Sequence, residues 1–377
     1  MARRQPTLDQ VDAYLLRNAK SSFWGNKRVA ITGHTGFKGG WLSIWLNTLG
    51  AKVFGLSLPP ITTPFSLYEE ANIAAFTKET IGDIQNYKTV QRFLDAAEPE
   101  IIFHMAAQPL VSIGYLQPLQ TLQTNIMGTA HLLEATRFSD SVKVFVNVTS
   151  DKCYENAGSD KEFTEDDRLG GEDPYSCSKG CSELITHAYR ESFYKEKNIS
   201  LASVRAGNVI GGGDWSANRL VPDILQAMEI KQPALIKNPE SIRPWQHVLD
   251  PLSGYLLLAE RLYQDKSFAN CWNFGPNEDA KSVGWIADQL TEHWGQDAHW
   301  RLTENAHFSE AKTLALDSSK AQSKLGWSPT WSSSEAIQKT VEWHKKWLEK
   351  SCAKQLCEEQ IEFFMASSNC KLETRTN

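Results

Sequence analysis

The sequence predicts an α/β protein: a doubly wound parallel sheet followed by a smaller lobe of mixed α/β structure. Three observations predict it. Short β-branched apolar runs take turns with helix-period segments as far as Arg205. A glycine-rich stretch, Gly33–Gly40, falls between the first such run and the first helical segment. After Gly211 the alternation loosens, and Gly, Pro and Trp become frequent.

The elements follow in order. Trp24-Gly25-Asn26-Lys27-Arg28 is a polar entry to a strand at Val29–Thr32. Beyond the glycines, Trp41, Leu42, Trp45, Leu46 and Leu49 recur at helical spacing, and Gly50 ends that helix. Lys52–Ser57 reads as the second strand. Val90–Ala97 reads as a helix and Ile101–His104 as a strand. Asn125–Phe138 reads as a helix and Val142–Ser150 as a strand. Pro174–Lys197 is a long helix before a strand at Ile199–Arg205. Val144-Phe145-Val146-Asn147-Val148 is almost wholly apolar, as a strand buried on both faces must be. The chain then divides into an extension over 1–24, a sheet domain over 25–210 that late segments rejoin, a mainly substrate-binding lobe over 211–350, and a polar, flexible tail over 351–377.

Composition bounds the function. A hydrophobic fraction of 41% and a charged fraction of 22% are those of a soluble globular chain. The net charge of −6 argues against nucleic acid as partner, so any anion site must be built from placed groups. No run of about 18 apolar residues is present to span a membrane, and Met1–Lys20 lacks the apolar segment of a signal peptide. Seven cysteines are an odd number without framework spacing, which fits reduced thiols and a cytoplasmic protein. Cys177 and Cys181 lie four apart on a helix, but no second ligand pair accompanies them, and no metal is expected.

Gly33-His34-Thr35-Gly36-Phe37-Lys38-Gly39 joins a strand to a helix, the context that makes such glycines a dinucleotide site. Gly33 permits the tight turn, Gly36 the approach of a pyrophosphate, and Gly39 close helix packing, while the helix N-terminus offers N–H donors. After the second strand an acidic residue usually takes the ribose hydroxyls. Here Ser57 stands there with no Arg after it, which favours NAD over NADP. Gly82-Asp83-Ile84 is a candidate for the adenine. Asp83 either accepts from the adenine amine or caps the helix that follows.

Tyr175 and Lys179 lie one turn apart and share a helix face. A phenol with a pKa near 10 is a poor base, and a neighbouring ammonium lowers it. Ser150 is placed to hydrogen-bond a hydroxyl under oxidation. Asp151 and Lys152, directly after it, exceed what alcohol oxidation needs and point to a second step, loss of water. Asp151 as general acid needs a pKa raised by burial. Lys152 as base needs one lowered from about 10.4 toward roughly 7–8, and the two titrations are coupled. Two other readings of Lys152 stand beside this one: a plain ion pair with Asp151, or a charged group that stabilises an enolate. Arg205-Ala206-Gly207-Asn208 opens a second glycine-rich segment, and Arg219, Arg243, Trp245 and His247 follow it. Two guanidiniums suit a diphosphate, and Trp245 suits a sugar or base.

At these residues the chain resembles the extended short-chain dehydrogenase/reductase superfamily, whose fold is a Rossmann-type sheet with a substrate lobe. The likeness runs from about Trp24 to Trp331. Thr32–Gly39, Thr149–Asn156, Asp173–Cys181, Val204–Trp215 and Ile242–Val248 together are similar to the CDP-glucose 4,6-dehydratases. The dTDP-glucose type carries Asp-Glu where this chain has Asp151-Lys152. The resemblance implies a lyase with tightly bound NAD and CDP-glucose as substrate. Oxidation at C4 by Tyr175, removal of the C5 proton by Lys152, departure of the 6-hydroxyl with a proton from Asp151, and return of hydride to C6 would follow in turn. It implies that Gly33, Thr35, Gly36, Phe37, Lys38, Gly39, Ser57, Asp83, Ile84, Ala106, Ala107, Tyr175 and Lys179 hold the cofactor. Gln108, Ser150, Asn208, Arg219, Arg243 and His247 would hold the substrate, with Asn125 in support. It further implies a homodimer or homotetramer and deoxysugar synthesis for a surface polysaccharide. Another nucleotide-sugar 4,6-dehydratase or a 4-epimerase is the alternative.

Overall fold

Seven strands make one sheet: β1 (Arg28–Thr32), β2 (Lys52–Ser57), β3 (Thr77–Ile81), β4 (Ile101–His104), β5 (Val144–Val148), β6 (Ser200–Ala206) and β7 (Cys271–Phe274). Their order is β7-β6-β5-β4-β1-β2-β3, and every pairing is parallel. The computed structural model describes residues 23–61, 64–156, 158, 161–295, 298–303 and 313–373. The extension read over 1–24 lies outside the described residues as far as 22. Trp24 itself is buried and donates to Glu260 at 2.6 Å, so it belongs to the sheet domain.

The two-residue period of the strands divides the core in two. Val29, Ile31, Phe103, Val144, Val146 and Val204 face one layer, which includes Trp41 and Trp45 of helix α1 (Phe37–Thr48). Ala30, Phe54, Ile102, Phe145 and Leu201 face the other, with Val90, Phe93 and Leu94 of α2 (Tyr87–Ala97) and Leu132 and Leu133 of α3 (Gly128–Arg137). Apolar residues in succession therefore mean a strand covered on both faces. The order of strands reverses between β1 and β4, and ligands of such sheets bind at that crevice.

One strand escapes the sequence reading, and one late segment rejoins the sheet as expected. β3, Thr-Lys-Glu-Thr-Ile, is a half-exposed edge strand with no apolar run to announce it. β7 arises late in the chain and pairs with β6, so the sheet domain is not closed at residue 210. Between β6 and the C-terminus, helices Leu220–Glu229, Val283–Trp294 and Ser333–Leu348 pack around a third apolar cluster that includes Trp245. Among the described residues, no helix is long and apolar enough to cross a membrane.

The tail is the main correction. Ala353–Glu373 is a helix, not a flexible polar segment. Leu356, Cys357, Ile361 and Phe364 are buried, and the Phe364 ring meets Trp45 edge-on at 5.8 Å. Polar residues dominate the segment, but its few apolar ones fall on one stripe that α1 covers.

Candidate active site

The glycine segment is shaped by what a side chain would strike. Gly33 has φ +82°, in the left-handed region. A Cβ on Gly39 would come within 2.1 Å of the Gly33 carbonyl oxygen. Gly36 is the N-cap of α1 and brings no side chain to its first-turn amides. Thr35 ties the turn down by donating to the Leu58 carbonyl at 3.2 Å. Bare N–H groups at a helix N-terminus, approached across glycine, fit the pyrophosphate of a dinucleotide. The loop after β4 stands beside it: Ala106 N–H donates to Thr32 Oγ1 at 3.2 Å.

The reacting groups come from the end of β5 and from α4 (Pro174–Tyr189). Asp173 caps α4 through the amides of Tyr175 and Ser176, and Pro174 fills the first helical position. Lys179, one turn on, reaches the Val148 carbonyl at 3.5 Å. At the strand end the chain turns through Asp151–Cys153. Ser150 Oγ accepts the Lys152 amide at 3.2 Å and donates to Asp151 Oδ1 at 3.0 Å. Asp151 is 3% exposed, and its Oδ2 has no hydrogen-bond partner among the described residues. Burial raises its pKa, against the pull of Lys152, the Ser150 hydrogen bond and Arg243. Burial also lowers Lys179 to about 8. Tyr175 is pushed up to about 12 by burial, with the Ser150 hydrogen bond and Arg219 pulling the other way. The sequence expectation that Lys179 sets the direction for this phenol is thus corrected, because desolvation outweighs the charges around it.

Other singled-out residues fall in three groups. Arg219 and Arg243 act electrostatically on this cluster, Arg219 on Tyr175 and Arg243 on Asp151. Arg219 also pairs with Asp214 at 3.3 Å, and the Asn208 carbonyl accepts from Gln246. Lys38 belongs here too: burial brings it down to about 7, with Arg219, Lys179 and Asp151 as its charged neighbours. A second group serves its own loop. Asp83 accepts from the Gln85 amide at 2.8 Å, while the cap of α2 is Asn86. Ile84 and Ser57 are buried. Gln108 is held from both ends of its amide, by Leu110 N–H and Thr121 Oγ1. Asn125 joins the Gln108 carbonyl to Ser178 of α4. Ala107 lies in the same loop.

The third group is buried away from solvent. His247, read from the sequence as a substrate residue, packs among tryptophans. It is 0% exposed, its ring lies 4.7 Å from Trp331 and 5.9 Å from Trp41, and burial lowers its pKa to about 3. Trp245 is buried in the lobe and donates to the Lys281 carbonyl. Arg205 pairs with buried Glu183 at 2.8 Å beneath the site. Conversely, Tyr255 is passed over in the sequence, because it lies in an apolar helical run. Its buried hydroxyl has no partner among the described residues, Asp151 acts on it, and the Lys38 amine lies 5.8 Å from its ring centre.

Fold and site together define a short-chain dehydrogenase/reductase of the extended type. A family model described as GDP-mannose 4,6 dehydratase matches residues 30–340, and the chain belongs to that family. It is 50% identical over 334 residues to the CDP-glucose 4,6-dehydratase of Salmonella typhimurium, covering 87% of this chain and 93% of that one. Among solved structures, the UDP-glucose 4-epimerase of Thermotoga maritima with UDP-glucose superposes with a TM-score of 0.73 at 23% identity, covering 85% of this chain and 99% of that one. The dTDP-glucose 4,6-dehydratase of Bacillus anthracis in complex with NAD gives 0.71 at 23%, covering 85% and 97%. At such identities these structures speak to fold alone.

Proposed function

We propose that this protein is a CDP-glucose 4,6-dehydratase, converting CDP-D-glucose to CDP-4-dehydro-6-deoxy-D-glucose and water. The observation that carries the reading is the buried Asp151 beside Ser150 and Tyr175, in a chain half identical to a CDP-glucose 4,6-dehydratase along almost its whole length. A 4-epimerase has no use for a second, buried acid next to its tyrosine.

The cofactor is NAD, held by Gly33, Thr35, Gly36, Phe37 and Gly39, with Ala106 and Ala107 alongside. Bound there, NAD would supply the acceptor for the hydride from C4 and return it at C6. Tyr175 takes the proton of the 4-hydroxyl, and Ser150 holds that hydroxyl. Lys179 adds positive charge that favours the phenolate. The 4-ketone acidifies the C5 hydrogen, and Lys152 removes it. Asp151 protonates the departing 6-hydroxyl, and its raised pKa is what that role requires. Asn208, Arg219 and Arg243 take the diphosphate or base, two of them as permanently charged forks. The protein works in the cytoplasm as a homodimer or homotetramer.

Purified protein incubated separately with CDP-glucose, dTDP-glucose, UDP-glucose and GDP-mannose, with NAD and without reductant, tests this by mass spectrometry. Loss of one water from CDP-glucose alone is expected. Water loss from a different sugar keeps the chemistry and overturns the substrate, and no mass change with any of the four overturns the reading.

A further inference from the structure

Glu183 and Arg205 form a buried ion pair that the proposed mechanism does not use. Glu183 stands on α4, four residues after Lys179 and on the same face of the helix. Arg205 stands near the end of β6. Both side chains are 3% exposed. Arg205 Nη2 donates to Glu183 Oε2 at 2.8 Å, and Ser203 of the same strand donates to that oxygen at 2.6 Å. Taking two charges out of water offsets most of what their attraction gives, and apolar residues of similar volume often serve a core as well. Stability alone gives little reason for the pair.

Its other contacts show what it holds. Glu183 Oε1 accepts from the Thr149 hydroxyl. Arg205 Nη1 donates to the Tyr154 hydroxyl at 2.7 Å. Thr149 and Tyr154 directly flank the segment Ser150–Cys153, which carries Ser150, Asp151 and Lys152. One ion pair thus grips both ends of that turn. The grip is anchored in the sheet. Before the turn, the Thr149 amide donates to the Val204 carbonyl of β6 at 2.9 Å, and its hydroxyl lies 3.2 Å from the same oxygen. After the turn, the Tyr154 hydroxyl donates to Asn273 Oδ1 of β7 at 2.7 Å, and Asn273 in turn donates to the Phe163 and Asp317 carbonyls. A guanidinium presents its N–H groups in a rigid plane, so these bonds fix direction as well as filling space. At its other end the pair is rooted in α4, the helix of Tyr175 and Lys179.

We propose that Glu183 and Arg205 are positioning residues that set the Asp151-Lys152 turn against the helix of Tyr175, so that acid and base meet the sugar the tyrosine has oxidised; this role rests on the dehydratase reading. Under that reading oxidation and water loss fall to different residues. Tyr175 and Lys179 keep their place through α4 and its Asp173 cap. Asp151 and Lys152 sit on a turn of three residues whose two flanks hang on the ion pair. Loosening the grip therefore slows water loss and spares oxidation at C4.

Thr149→Val and Tyr154→Phe each remove one gripped hydroxyl at nearly constant shape, and Thr149→Ser keeps it. Single turnovers of CDP-glucose with NAD, in which reduced-cofactor absorbance and quenched product are followed together, test the role. In Thr149→Val and in Tyr154→Phe, oxidation at C4 keeps its wild-type rate. Water loss slows by roughly 10- to 10²-fold, the scale of an ångström of misplacement, and reduced cofactor accumulates. Thr149→Ser restores water loss. The paired replacement of Glu183→Leu with Arg205→Met shows the same split, and adding Thr149→Val to it costs nothing more, because no carboxylate remains for the hydroxyl. A further loss there overturns the role, since Thr149 then acts elsewhere. If the paired variant does not fold, the hydroxyl variants decide. Equal slowing of both steps, wild-type water loss in either hydroxyl variant, or no rescue by Thr149→Ser overturns the positioning role while wild type still dehydrates. Wild-type protein that removes no water from CDP-glucose overturns the dehydratase reading itself.

Discussion

In the proposed mechanism Asp151 carries the distinction between oxidising a sugar and dehydrating it. Its carboxyl is buried, and burial raises its pKa, the direction a general acid needs. Asp151→Asn keeps the shape and can still accept from Ser150, but has no acidic proton. Dehydration should fall by roughly 10²- to 10⁴-fold, the range of a general acid, with the sugar still oxidised at C4. Product formation and the absorbance of reduced cofactor, followed together, separate the two steps. Lys152→Ala should give the same separation one step earlier: C4 oxidation persists, elimination stops, and reduced cofactor accumulates on the protein. Near wild-type turnover in that variant removes Lys152 from the mechanism. Spacing made Ser150, Asp151, Tyr175 and Lys179 legible, since a strand end and one helical turn each have fixed geometry. It did not show that His247 packs on Trp331, because an imidazole shortly after a diphosphate candidate looks the same in sequence whether it faces a ligand or a ring.

Elements decide whether those residues meet. The first turn of α1 closes on the glycine loop because residue 39 has no side chain. Gly39→Ala should push the loop away from the helix and cost NAD affinity. Titration calorimetry with NAD reads this directly, and wild-type affinity in the variant would refute the packing argument. The C-terminal helix Ala353–Glu373 is tied to the same α1 from the other side, through Phe364 on Trp45. Phe364→Ala should cost about 3–5 kcal/mol, as expected for a buried aromatic truncated to alanine. Urea denaturation measures it, and a loss under about 0.5 kcal/mol, the scale of surface substitutions, would mean that the helix is not docked. Sequence periodicity found α1, whose apolar residues are dense. It passed over the last helix, where a narrow stripe is diluted by Lys, Gln and Glu.

Two of the imidazoles whose pKa burial lowers, His104 and His247, tie the stability of the whole molecule to pH. His104 lies between Thr32 and Thr129 in the centre of the fold, and His247 lies among tryptophans. Burial lowers both to about 3. Unfolded, they titrate near 6.5. Between those values the unfolded chain binds more protons than the folded one. Stability is therefore fully present above about pH 6.5 and is lost as pH falls toward 3, by up to about 1.4 kcal/mol per pH unit for each imidazole. Urea midpoints at pH 7 and pH 5 should show the drop. It should shrink in His104→Gln and in His247→Gln, and an unchanged slope in both would mean that neither imidazole is held neutral.

The features legible in the residues alone were local or periodic: the alternation of strand and helix, the glycine turn, the Tyr-x-x-x-Lys face and the acid beside the serine. Each follows from steric and hydrogen-bonding rules that act over a few residues. The tertiary structure decided what depends on neighbours distant in the chain. It added an edge strand and a late strand to the sheet, and it docked the last helix on α1. It withdrew His247 and Trp245 into the core, and it brought Lys38 and Tyr255 to Asp151. Burial is set by the whole packing. It is burial that raises Asp151 and Tyr175 and lowers Lys179, so the charge states at the site belong to the fold rather than to any motif.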